Sequence, residues 1–227
     1  MYKEIVKWPA ASLKKKSADV IVGTELCNTV VADLKDTFRV KDGYGLAAPQ
    51  IGYSSRVIVV NPSLIGMPED HQFQDYLVMI NPVISCYGEK ARSNEACFSV
   101  PGISDVVERY SQCDVSFTSE DGNSETIEGL TGLASFCIQH EVDHLEGKLF
   151  LDRMKNLKRS ILLKKLRKAA KKKEQARLLA QKEWEEDVMS YSGDSPQIKR
   201  GHKPRTDKDR KRKRQAKLSK RRNRKSK

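Results

Sequence analysis

The sequence predicts an α+β fold, and three observations carry that expectation. Apolar Val30, Val31, Leu34 and Phe38 recur at helical steps within residues 27–39. Short β-prone runs bounded by turn signals follow between residues 56 and 118. A further helical stretch, 132–147, carries two histidines four residues apart. Helices mixed with antiparallel strands in this way point to an α+β domain.

The elements are justified in chain order. The first helix spans 27–39 on its apolar periodicity. Gly43-Tyr44-Gly45-Leu46-Ala47-Ala48-Pro49-Gln50-Ile51-Gly52 is a glycine-containing turn, where a ligand can come close to bare backbone. Runs 56–60 and 77–80 are strands, each closed by Asn-Pro, at 61–62 and 81–82. Residues 63–74 read as a polar loop. Residues 105–110 and 113–118 are two more strands, and Glu120-Asp121-Gly122-Asn123 makes a turn. Beyond Leu151, the residues Leu157, Ile161, Leu162, Leu166, Ala169 and Ala170 recur at helical spacing among lysines. The pattern continues loosely through Leu178, Leu179 and Trp184 to the neighbourhood of Met189. This predicts one long basic helix partly docked on the domain before it. The stretch from Ser190 to Pro196 breaks it. Residues 197–227 are mostly lysine and arginine with almost no apolar content, so they are expected to be disordered alone. The organisation is a catalytic domain over 1–152, a basic helix over 153–190 and a basic disordered tail over 191–227, with no internal repeat.

Charge divides the chain in the same place. Residues 1–150 hold 13 Lys/Arg against 21 Asp/Glu, a net of −8. Residues 151–227 hold 30 against 9, a net of +21, which gives the whole chain its +13. Such asymmetry suggests a separate basic segment that binds a partner. An odd, scattered set of five cysteines suggests a reducing compartment, the cytoplasm. Met1 to Trp8 offers no apolar run suited to secretion, and nothing approaches the roughly 20 apolar residues of a membrane span.

The chemistry centres on His140-Glu141-Val142-Asp143-His144. On a helix both imidazoles share one face and can reach one metal ion, with Glu141 beside them as a candidate base. A catalytic metal usually takes three protein ligands plus a water. One metalloprotease group supplies the third as a histidine six residues after the second. Gly147 keeps that group's step, but Phe150 stands where its last histidine would be. No acidic residue follows closely enough either, since the next after Asp152 is Glu174. His71 and His202 lie in hydrophilic surroundings. The third ligand is therefore a cysteine or an upstream carboxylate. Cys137 lies three residues before His140 on the same helical face, and sequence alone does not exclude it. Cys97 has the more telling setting, with small residues before the thiol and a Pro101-Gly102 turn after it. Cys27, Cys86 and Cys113 read as small buried hydrophobes. The glycine-containing turn fits neither a dinucleotide loop, because Ala48 stands where a glycine is needed, nor a phosphate loop.

Three segments together resemble the peptide deformylase family: Gly43-Tyr44-Gly45-Leu46-Ala47-Ala48-Pro49-Gln50, Glu95-Ala96-Cys97-Phe98-Ser99 and Gln139-His140-Glu141-Val142-Asp143-His144. They follow the order of that family's signatures, and the resemblance runs from near the start to about residue 155. Ala96 stands where the family usually has glycine, Phe98 where leucine is common, and Tyr44 where an aliphatic residue is frequent.

The resemblance implies antiparallel sheets surrounding a central metal-binding helix. It implies Cys97, His140 and His144 as metal ligands and Glu141 as the acid–base that moves protons between an activated water and the leaving amine. The Gln50 side chain and the Phe98 backbone N–H would stabilise the oxyanion. The substrate would be the formylated N-terminal methionine of a nascent polypeptide, and formate the product. Tyr44, Gly45 and Ala96 would edge the substrate site, and Leu133, Phe136 and Cys137 would line the methionine pocket while serving the core. Glu95 would accept a hydrogen bond or pair with Arg109, or else stand as an exposed loop acid, and Asp143 would orient an outer imidazole N–H, or else be a helix surface charge. The cofactor implied is one divalent ion, ferrous iron first, with zinc, nickel or cobalt as substitutes; the family precedent is a monomer. For the basic segment the reading is attachment to ribosomal RNA, against a solubilising tail or a nuclear address at Lys211-Arg212-Lys213-Arg214. Two other classes compete. One is a metalloprotease using the same helix. The other is a catalytically weak or silent ribosome-binding factor that keeps the deformylase-like shell.

Overall fold

The computed structural model describes residues 1–41, 43–66 and 76–192. Helix α1 (Glu25–Arg39) begins where Thr24 accepts the Cys27 N–H at 3.3 Å, which satisfies one of the helix's free donors. Glu25 in its first turn and Arg39 in its last suit the helix dipole. The apolar stripe is its inner face: Cys27, Val30, Val31, Leu34 and Phe38 are all buried.

The strands form one antiparallel sheet in chain order, β1 (Gly45–Ala47), β2 (Val57–Val60), β3 (Leu77–Ala96), β4 (Ser104–Thr118) and β5 (Ser124–Thr131). The period of two sorts its side chains between two cores. Val57 and Val59 of β2 join Leu46, Val78 and Ile80 against α1. Ile58 and Val60 join Ala47 and Met79 on the other side, against Ile138, Val142 and Leu145 of helix α2 (Gly132–Leu145). Strand β2 therefore reads as an unbroken apolar run, because it is buried on both faces. Each such side chain contributes about 1.5–3 kcal/mol of burial.

Helix α2 touches all five strands, and that central position buries polar residues on it. Ser135, Gln139, Glu141, Asp143 and His144 are all inside. Gln139 fastens the helix to β4: its amide donates to the Tyr110 carbonyl at 2.8 Å and its oxygen accepts the Tyr110 N–H at 3.2 Å. Short helix α3 (Phe150–Arg153) and helix α4 (Asn156–Ser192) follow. A third cluster holds Cys97, Val100, Val107, Leu149, Phe150, Leu151 and Met154, and Leu162, Leu163 and Leu166 of α4 pack against it. The first compact unit is Met1–Ala170; in the second, from Lys171, the described residues are helical to Ser192. Among the described residues no helix is long and apolar enough to cross a membrane.

Several elements differ from expectation. Asn81-Pro82 does not end its strand; β3 runs on to Ala96 across a register irregularity between Ile80 and Val83. Asn81 takes a positive φ of 51° there, and its side chain bridges the Val20 backbone, accepting the N–H at 2.9 Å and donating to the carbonyl at 2.8 Å. Pro82 thus sits where the ladder lapses and its missing N–H costs little. Residues 105–110 and 113–118 belong to one strand, because Gln112 is paired on both sides, with Tyr87 and Thr131. The short β1 and the polar β5 carried too little pattern to be read as strands. In the expected loop 63–74, Pro62–Ile65 forms a 3-10 turn, and residues 67–74 lie outside the described residues. So does the tail from residue 193, with His202; the helix is described to Ser192, inside the expected break. Cys27 and Cys113 are buried as read, while Cys86 is half-buried.

Candidate metal centre

Three elements converge on one point. Strand β3 ends at Ala96 and delivers Cys97 into the turn before β4. Helix α2 delivers His140 and His144 from successive turns of one face. The donor atoms of Cys97, His140 and His144 all lie within 4.8 Å of one another, and no other His, Cys, Asp or Glu among the described residues joins a group of this kind. Cys97 Sγ is 3.3 Å from His144 Nε2. Cys137, open as a ligand from sequence, is not in the group. Burial, with Glu141 beside it, pushes its thiol well above the usual range and keeps it neutral.

The polar surroundings are built from ionised groups. His140 Nδ1 donates to Glu95 Oε2 at 2.8 Å, so its other nitrogen is the one left for an ion. Glu95 is gripped in turn by the Arg109 fork, Nε to Oε1 at 2.7 Å and Nη2 to Oε2 at 2.8 Å. Arg109 Nη1 donates to Asp143, which is held from its other side by Arg153. The imidazole expected of Asp143 belongs to Glu95 instead, because β3 brings Glu95 alongside the ring while Asp143 points to the guanidinium groups. Burial works against the Glu95 charge, yet Arg109 and His140 more than offset it and hold the carboxyl at a pKa of about 2. Burial works against Arg109 as well, and Glu95 and Asp143 keep it firmly charged.

Gln50 arrives on the 3-10 turn after β1. Its oxygen accepts the Ala47 N–H at 2.8 Å, which aims its nitrogen at Cys97 Sγ and Ser99 Oγ, both 3.4 Å away. Glu141 is fully enclosed on the same side. Burial pushes its carboxyl up to about 7, with His140 pulling the other way. Among the described residues its Oε2 has no hydrogen-bond partner. A Cβ at Gly45 would lie 2.7 Å from Glu141 Oε1, so only glycine leaves room for this carboxylate. Among the described residues no group accepts the Phe98 N–H. Above these groups opens a cleft of about 680 Å³, lined among others by Tyr44, Gly45, Ala96, Phe98, Leu133, Phe136 and Cys137. Leu133, read as core, is half exposed at its rim.

A thiol, two imidazoles and an unpartnered buried carboxylate oxygen suit a divalent ion with one coordination position open to water. The family profile for polypeptide deformylases matches residues 2–160. The chain belongs to the polypeptide deformylase family. A peptide deformylase of Zymomonas mobilis is 37% identical over 173 residues, 75% of this chain and 96% of that one. Peptide deformylase 2 of Nitrosomonas europaea is 36% identical over 168 residues, 74% of this chain and 86% of its own. The crystal structure of a peptide deformylase from Legionella pneumophila aligns at a TM-score of 0.65 and 35% identity, covering 78% of this chain and 99% of that one.

Membership makes the chain a metal-dependent hydrolase that removes the formyl group from N-formylmethionine. The competing silent-factor reading finds no support in these relatives. Sequence reasoning missed several residues around the deformylase site. Ser99 and the Ala47 N–H orient Gln50. Phe150, noticed only as the histidine that was not there, stacks on the His140 ring with centroids 6.4 Å apart. Arg153 had no local signal at all; its partner lies ten residues upstream on another helix.

Proposed function

We propose that Cys97, His140 and His144 hold ferrous iron, that Glu141 is the proton carrier, and that the substrate is the formylated N-terminus of nascent polypeptides. The observation that carries this reading is the convergence of three donor atoms within 4.8 Å beside a buried carboxylate with a free oxygen. Zinc, nickel or cobalt fit the same donors. When bound, the ion supplies Lewis acidity that brings the pKa of a water toward neutrality.

The chain's own residues supply the rest. Glu141, held near neutrality by burial, accepts the water's proton and delivers it to the leaving amine. The Gln50 amide, fixed by Ala47, and the Phe98 N–H donate to the formyl oxygen as it gains charge. Leu133, Phe136 and Cys137 offer the methionine side chain an apolar wall, and Tyr44, Gly45 and Ala96 border the peptide. Glu95 fixes the tautomer and orientation of His140, and Arg109 and Asp143 fix Glu95.

The test is deformylation of formyl-Met-Ala-Ser by anaerobically purified protein of measured metal content, with Glu141→Ala as control. Iron near one per chain and turnover far above the control are expected. Turnover no faster than the control would end the reading. A peptide panel with and without the formyl group separates this activity from that of a protease.

The basic C-terminal segment is proposed to attach the enzyme to ribosomal RNA, in a reducing cytoplasm suited to five unpaired cysteines. Residues 151–227 carry a net charge of +21, enough for strong, salt-sensitive phosphate contact. Deleting residues 191–227 should weaken co-sedimentation with ribosomes at low salt; unchanged binding would discard the idea.

A further inference from the structure

We infer that Arg153 is a positioning residue for His140, acting through Asp143, Arg109 and Glu95. The inference rests on the metal-dependent reading above. Four charged side chains form an unbroken chain behind the imidazole. Arg153 donates from Nε to Asp143 Oδ2 at 3.0 Å and from Nη2 to Asp143 Oδ1. Arg109 donates from Nη1 to the same Asp143 and turns its remaining fork on Glu95. Glu95 holds His140 Nδ1 at 2.8 Å. Two guanidinium groups face two carboxylates, so the set is neutral as it stands.

Arg153 decides how Arg109 divides its donors. Glu95 and Asp143 side chains are each only 7% exposed and Arg109 1%, so water is a poor substitute for a lost partner. With Arg153 in place, Asp143 has its own cation and Arg109 can give two donors to Glu95. Without it, Oδ1 of Asp143 loses the only donor it has among the described residues, and Arg109 is left as the one guanidinium shared by two buried carboxylates there. The guanidinium is then drawn toward Asp143, and the fork that fixes Glu95 against the ring loosens. Arg153 itself is 43% exposed, so its replacement opens no large cavity.

A second contact ties the same element to the same ring. Arg153 closes the four-residue helix α3, and Phe150 at the start of that helix stacks on His140 at an interplanar angle of 22°. Helix α3 thus holds one imidazole twice, by a ring face and by a chain of charges. Among the described residues His144 has no equivalent hold, since its Nδ1 is buried without a partner there.

The test compares Arg153→Met, Arg153→Lys and Arg159→Met in the full chain loaded with cobalt. Arg159 pairs with Asp152 on the same segment and, among the described residues, touches none of Asp143, Arg109, Glu95 or His140. For Arg153→Met we expect an altered visible cobalt spectrum, roughly tenfold faster cobalt loss to a chelator, and roughly tenfold lower kcat on formyl-Met-Ala-Ser with KM nearly unchanged. Arg153→Lys, which keeps the charge without the fork, should fall between. Arg159→Met should match the parent in all three readouts. A parental spectrum, chelator rate and kcat in Arg153→Met would overturn the proposal, as would an equal effect of Arg159→Met, which marks a general packing role. If Arg153→Met does not fold, Arg153→Lys carries the same comparison. An inactive parent enzyme would sink the deformylase reading instead, while the spectrum and chelator rates would still judge Arg153.

Discussion

Helices α2 and α4 treat charge in opposite ways. On α2, Glu141, Asp143 and His144 are buried, and the enclosed ion pairs around Asp143 have fixed geometry. On α4, Lys164, Lys165, Arg167, Lys168, Lys171 and Lys172 are exposed. Beyond Lys158 and Arg159, which pair with Asp105 and Asp152, residues 160–182 hold nine Lys/Arg against one acid, so this stretch is suited to act as a field rather than a set of contacts. Burial makes each charge individually indispensable, because nothing else can satisfy its neighbour. Exposure makes charges interchangeable, because water and salt stand ready to replace any one of them. Single substitutions should therefore act strongly on the first helix and weakly on the second.

The largest effect is expected at Glu141. Replacing it with glutamine keeps the shape and removes the proton carrier, so kcat/KM on a formylated peptide should fall by about 10²–10⁴. Metal content should stay at the parental level, because Glu141 is not in the donor group. A variant that retains most of its activity would place the proton transfer elsewhere.

Next comes Arg109, the cation shared by Glu95 and Asp143. Arg109→Ala leaves two buried carboxylates short of partners and should destabilise the fold by about 3–5 kcal/mol. Urea titration of the metal-free protein measures this. A loss under about 1 kcal/mol, the range of exposed ion pairs, would erase the contrast between the helices.

How much of this was legible depends on whether a residue's reason lies nearby in the chain. The histidine spacing and the apolar stripe of α1 are local periodicities, and the structure contains both as helices. The extent of β3 was not legible, because Asn81-Pro82 is a stop signal, and the contact with Val20, 61 residues upstream in sequence, accompanies its conversion into a bulge. Gln112 hid the unity of β4 for a similar reason, since its two strand partners are remote. At the site, the motif letters pointed to Cys97 and Gln50, but the partner of the His140 imidazole depended on where β3 places Glu95 beside α2. Asp143 was read for a role that falls to Glu95, and Arg153 went unread.

A third, smaller effect tests whether steric enclosure follows the same rule as charge. A Cβ at Gly43 would sit 2.6 Å from Phe98 Cζ, yet Gly43 does not have the positive φ that would itself demand glycine. Its smallness is required by the ring alone. Gly43→Ala should displace Phe98, next to Cys97, and cost about 1–3 kcal/mol in stability with reduced turnover. Adding Phe98→Leu removes the obstructing ring atoms and should restore most of both. Failure of the double variant to recover would mean that Gly43 answers to something other than Phe98.

The smallest single effects belong to α4. If its lysines act as a field, exchanging Lys164, Lys168 or Lys171 for glutamine one at a time should barely change RNA affinity at fixed salt. Each loss should instead remove less than one unit from the slope of log affinity against log salt, and three together should add. Deformylation of a free tripeptide should not change in any of them, since none belongs to the donor group or to the residues lining the cleft. One lysine whose replacement abolished binding by itself would show a built contact on α4. The difference between the two helices would then be one of degree, and exposure alone would no longer explain it.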